Sequence, residues 1–112
     1  MEVITKAHDN CTIVELKGRL NTTNFSELEA EFNKLIEKGN HTLLVDCAEL
    51  EYVSSSGLRV FLVALKTLKK LNGKFVLCNL QEGILEVFEV SGFITIFDVC
   101  DTKDEALKVC QD

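Results

Sequence analysis

The sequence predicts an α/β fold on a mixed sheet, with about five strands and four helices in the order β β α β α β α β α. Three observations carry this. Two N-terminal runs rich in β-branched residues flank a short polar turn, the signature of an antiparallel hairpin. After the hairpin, apolar runs alternate with segments of helical period, as in parallel strands joined by right-handed crossovers. The run Thr42–Cys47 (TLLVDC) is apolar on both alternating sets, as expected of a strand covered on both faces. A length of 112 residues suits one domain over residues 1–112 with one core.

Each element follows from local chemistry. Residues 2–7 (EVITKA) read as a strand, His8-Asp9-Asn10 as a turn, and residues 11–17 (CTIVELK) as a second strand. Gly18 to Asn21 breaks the pattern. Phe25, Leu28, Phe32, Leu35 and Ile36 then share one helical face, which predicts a helix from about Thr22 to Lys38. Asn21 to Thr23 supply N-cap candidates and Gly39 a C-terminal stop. After the strand at 42–47, residues Ala48–Val53 read as a loop. A deeply packed helix is expected from about Ser55 to Leu71, closed by Asn72-Gly73. Strand 74–79, helix 81–90 ending at Ser91-Gly92, strand 94–99 and helix 102–110 with Thr102 as cap complete the chain.

Composition narrows the function. Apolar residues make up 46% and charged residues 27%, the balance of a soluble globular protein. The net charge of −6 argues against nucleic acid, whose binding rests on Lys and Arg neutralising phosphates. Lys66, Lys69, Lys70 and Lys74 read as the wet end of a helix. No signal peptide or membrane-spanning run is visible, so no membrane insertion is expected. The five cysteines, Cys11, Cys47, Cys78, Cys100 and Cys110, include no Cys-x-x-Cys. They read as small buried hydrophobes in a reducing cytoplasm.

Few residues fit catalysis. A nucleophilic serine needs a base, and His8 and His41 both read as solvated. Ser-Ser-Ser-Gly lacks nucleophile-elbow spacing, and the loop ending in Gly57 has too few glycines to cradle a nucleotide. Asp46, Glu49 and Glu51 are close in sequence, but the two glutamates read as loop residues beside solvent and Asp46 as a buried or capping carboxylate. No catalytic residue, metal or cofactor is assigned. The stretch "YVSSSGLRVF" (Tyr52 to Phe61) stands out, with three serines ahead of a packed helix. One cap accounts for one serine. A helix N-terminus also favours negative charge, so a phosphorylated hydroxyl fits there as well.

At these residues the sequence resembles the STAS domain family, and within it the small single-domain bacterial anti-sigma factor antagonists. "GRLNTTNF" (Gly18 to Phe25) is similar to the family's segment entering its first helix. "LLVDCAELEYVSSSGLRVF" (Leu43 to Phe61) is similar to its hallmark strand followed by Asp-Ser-Ser-Gly-Leu-Gly. "FEVSGFITIF" (Phe88 to Phe97) is similar to its late helix, turn and last strand. The resemblance implies a STAS-type mixed sheet and no enzymatic activity. It implies a cytoplasmic partner switch that binds an anti-sigma factor serine kinase when unphosphorylated, is released on phosphorylation, and is reset by a serine phosphatase. The phosphorylated residue falls at Ser55, with Ser54 as the alternative. Asn21, Thr22, Ser54, Ser56, Gly57, Leu58 and Arg59 fall at the partner surface, with Gly57 keeping the approach open. Three positions depart from the family pattern: Ser54 replaces an acidic residue, Arg59 a glycine and Asn21 an aspartate. Arg59, at i+4 from Ser55, is expected to pair with a phosphate there. The alternative reading is a constitutive, non-phosphorylated STAS scaffold or docking subunit of a transporter or signalling assembly.

Overall fold

A computed structural model describes residues 1–111. Five strands form one sheet in the order β1-β2-β3-β4-β5. They are β1 (Glu2–His8), β2 (Cys11–Leu20), β3 (Thr42–Val53), β4 (Lys74–Cys78) and β5 (Asp98–Cys100). β1 and β2 pair antiparallel, from Glu2 opposite Lys17 to His8 opposite Cys11. The remaining pairs are parallel. Helices α1 (Phe25–Glu37), α2 (Ser55–Lys70) and α3 (Glu82–Ser91) make the crossovers, and α4 (Lys103–Gln111) follows β5. Right-handed crossovers that always step in one direction lay their helices on one face. The buried residues follow. Val14, Leu16, Leu43, Val45, Phe75 and Leu77 face α1, α2 and α3. Their neighbours Ile13, Leu44, Val76 and Cys78 face the other way, beneath Ala106 and Cys110 of α4.

The larger core is aromatic. Phe75 lies 5.6 Å from Phe32, 6.1 Å from Phe61 and 6.0 Å from Phe97, centroid to centroid. Phe97 continues the chain of rings to Phe88 at 5.4 Å. On the opposite face, Lys103 ties α4 to the sheet, with its Nζ 3.4 Å from Glu15 and 3.6 Å from Asp46. Burial raises the Glu15 carboxyl, but hydrogen bonds from Lys6 and Lys103 outweigh it and leave its pKa below the ordinary value. All five cysteines are free. Burial pushes the Cys78 and Cys110 thiols up to about 12, so they stay protonated and pack as small apolar groups.

Four expectations change. β2 does not stop at Lys17. It runs to Leu20 through Gly18, whose φ of 99° sits at a bulge that shifts its register with β3. Ala48–Val53 is strand, not loop, because this extension of β2 pairs with it from Lys17 opposite Glu49 to Leu20 opposite Val53. α1 starts at Phe25 rather than Thr22, because Asn21 closes a turn ahead of it. The predicted strand 94–99 is a 3₁₀ turn at Phe93–Thr95 followed by β5. Gly92, at φ 82°, ends α3, and the Phe97 amide bonds to the Phe93 carbonyl at 3.0 Å, which brings both rings back onto Phe88. Aromatic burial overrides the β-propensity of Ile94, Thr95 and Ile96.

Candidate functional site

The extended pairing of β2 with β3 builds the site. Leu20 lies opposite Val53, and the Ser54 amide donates to the Leu20 carbonyl at 2.8 Å. The two loops that follow therefore leave the sheet side by side. They do so at the carboxyl ends of parallel strands, where open α/β sheets carry their sites. One loop is fixed by side chains. Asn21 Oδ1 accepts from the Thr23 amide at 2.9 Å and from its hydroxyl at 2.6 Å. Asn24 Oδ1 accepts from the Asn21 amide at 2.9 Å, and Asn24 Nδ2 donates to the Arg19 carbonyl at 2.8 Å. Asn24, not Asn21 to Thr23, occupies the N-cap of α1, and it makes no side-chain cap bond. Thr22 is exposed beside it.

The three serines have distinct environments. Ser54 is the N-cap of α2, only 8% exposed, with its Oγ accepting from the Gly57 amide at 3.2 Å. Such a cap contributes about 1 kcal/mol. Ser55 opens the helix and is exposed, while Ser56 is half-buried in a groove shared with Phe25, Glu29 and Arg59. The first turn of α2 has no acidic residue, so the positive end of its dipole faces solvent uncompensated.

Gly57 does not open the approach from outside. It is buried, and a Cβ there would lie 2.7 Å from Leu20 Cγ and Cδ2 and 3.0 Å from Val53 Cγ1. The missing side chain lets α2 seat against the ends of β2 and β3. Leu20 is fully buried and has nowhere to swing. Gly57→Ala is therefore expected to destabilise the fold by about 1–3 kcal/mol. Urea unfolding checks this: a lower midpoint at unchanged slope is the expected result.

Around the serines, Leu58 is half-buried and Arg59 is exposed, with no ion pair among the described residues. Arg19 stacks over Tyr52, its Cζ 4.3 Å from the ring centroid. These two residues were not anticipated, because only the strand extension places them opposite each other. A groove bounded by Tyr52, Val53, Leu58, Ile84 and Val87 was also missed. Its signal lay in α3, where Val87 and Val90 fall off the stripe that buries Ile84 and Phe88. His8 ends β1, and His41 precedes β3, both at the end of the sheet where β2 and β3 begin, away from the serine junction. Asp46 is a structural carboxylate, accepting from the Ala48 amide and from Asn79 Nδ2, each at 3.1 Å. No metal-binding cluster occurs among the described residues. None of their helices is long and apolar enough to cross a membrane.

A mixed sheet with helices on both faces and a capped serine motif at a strand–helix junction places the chain among small α/β domains built on a single sheet. The STAS domain model matches residues 2–106, and the chain belongs to that family. It is 41% identical over 98 residues to BtrV of Bordetella bronchiseptica, a protein named as a candidate anti-sigma factor antagonist, spanning 88% of this chain and 84% of that one. The crystal structure of a candidate anti-sigma factor antagonist from Thermotoga maritima superposes with a TM-score of 0.93 at 22% identity, covering 98% and 95% of the two chains. The phosphorylated form of the Bacillus cell fate determinant SpoIIAA superposes with a TM-score of 0.75 at 21% identity, covering 96% and 97%.

Proposed function

We propose that this STAS domain is an anti-sigma factor antagonist working as a phosphorylation-controlled partner switch in the cytoplasm, with Ser55 as the acceptor. The observation that carries the reading is the division among the serines. Ser54 is buried and committed as a cap, Ser56 is half-buried, and Ser55 alone is exposed. The kinship with BtrV and the shared fold of phosphorylated SpoIIAA support it. Unmodified, the surface around Asn21, Thr22, Ser56, Leu58 and Arg59 receives an anti-sigma factor that is also a serine kinase. Ser54 and Gly57 hold that surface from beneath. The kinase transfers the γ-phosphoryl of ATP to Ser55 Oγ, adding about −1.5 to −2 charges, and the partner is released. A serine phosphatase restores the hydroxyl.

The decisive experiment incubates the chain with its anti-sigma kinase and ATP and reads the product by mass spectrometry. One phosphate is expected, on Ser55, absent from Ser55→Ala and retained in Ser54→Ala. No uptake by the unmodified chain would instead support a constitutive scaffold. Arg59 lies at i+4 from Ser55 and, on this reading, pairs with the phosphate. At an exposed site that pairing contributes about 1 kcal/mol or less. Phosphorylation is therefore expected to raise the thermal midpoint more in the unmodified sequence than in Arg59→Ala. Equal shifts would remove the pairing.

A further inference from the structure

We infer that the groove beside the serine junction is the seat of a cationic amphipathic helix of the partner, and that this contact survives phosphorylation. The inference deepens the partner-switch reading and rests on it for the partner's identity. The groove runs between the end of β3, the first turn of α2 and α3, and has a volume of about 220 Å³. Small-molecule sites are larger, at about 300–1,000 Å³, and more enclosed. This one fits a single bulky apolar side chain of the kind a docked helix inserts. Its apolar surface continues outward along α3, where Val87 is 43% and Val90 83% exposed, and across to Tyr52 at 40%. Gly83 leaves the edge open, because a Cβ there would meet nothing within 4 Å.

Charge identifies the occupant. Glu51 lines the groove and Glu86 lies beside Val87 and Val90; both are exposed, and neither has an ion pair among the described residues. α3 contains no Lys or Arg. An apolar ridge flanked by Lys and Arg complements such a rim. The groove is also continuous with the switch. Val53 directly precedes Ser54, and Leu58 lies one turn beyond it. The two halves of the footprint differ in character, with Arg59 one turn from Ser55 and Glu51 and Glu86 beside the groove and its extension along α3, while Arg19 lies over the Tyr52 ring. A phosphate on Ser55 changes the first half and leaves the second as it was. The modified chain therefore retains weak docking through α3.

The test titrates the isotope-labelled chain with a synthetic amphipathic helix of about three turns, leucine on one stripe and lysine on both flanks. A matched peptide carries glutamate in place of lysine. Nuclear magnetic resonance is expected to show the lysine peptide shifting Val53, Leu58, Ile84 and Val87. The double variant Glu51→Lys/Glu86→Lys is expected to weaken binding about tenfold. Ser55→Asp is expected to change it by less than about twofold. Equal binding of the two peptides, shifts centred elsewhere, or a second copy of the chain filling the groove by size-exclusion chromatography would each overturn the inference. The assay needs no kinase, so the two proposals separate. Phosphate uptake at Ser55 without groove binding rejects this inference alone. Groove binding without uptake rejects the switch alone.

Discussion

Phe75→Ala is expected to destabilise the protein by about 3–5 kcal/mol, the range for truncating a fully buried phenylalanine. Phe75 is 1% exposed and stands on β4 among Phe32, Phe61 and Phe97. Its removal forfeits the burial of a full ring and three aromatic contacts, each worth about 0.5–1.5 kcal/mol beyond area. The rings around it come from α1, α2 and the turn before β5, so no single element can shift to fill the cavity. A domain of this size has about 5–15 kcal/mol in total. The thermal midpoint should fall by roughly 12 °C or more. Val90→Ala is the matched control, because Val90 is 83% exposed and its loss should stay within about 0.5 kcal/mol. A drop of only a few degrees for Phe75→Ala would mean that the aromatic cluster repacks.

Ser55→Asp is expected, on the proposed partner-switch reading, to weaken binding to an anti-sigma partner about a hundredfold, which corresponds to ~2.7 kcal/mol. A switch needs differential affinity of this order between its two states. The cause is local. A carboxylate at the first position of α2 is favourable to the isolated helix, so folding is not harmed. At a closed interface the same charge must be desolvated and meets groups arranged around a neutral hydroxyl. Ser55→Ala should bind as the unmodified chain does, and both variants should keep the parent thermal midpoint within a few degrees. Isothermal titration calorimetry with the purified partner reads the difference. Equal affinities for the two variants would reject Ser55 as the switch.

Much of the fold was legible because most elements obey one local rule each. The apolar stripe from Phe25 to Ile36 could hardly be anything but a helix, and Gly39 ends it as expected, at φ 94°. The hairpin and Thr102, which accepts from the Glu105 amide at 3.2 Å, were equally readable. What was hidden depends on partners distant in sequence. Glu49 and Glu51 look like loop residues alone, and become strand only because Lys17 to Leu20 lie beside them. Ile94 to Ile96 look like strand alone, and lose to the packing of Phe93 and Phe97. The site divides in the same way. The serine motif is local and could be read directly. The inward role of Gly57 could not, because it depends on Leu20, far back in the chain.

The spatial order of the strands matches their order in the chain. Each new strand of the growing polypeptide finds its neighbour already in place, and none waits for a later segment to arrive. Each parallel pairing still spans a crossover, as Thr12 opposite Leu43 and Thr42 opposite Lys74 show, but assembly can advance along the chain during synthesis. α4 is the exception. Ile13, Leu44 and Val76 have no cover until residues 103–111 emerge. α4, made after the sheet, therefore seals the second face, and the nascent chain exposes an apolar sheet surface until it does.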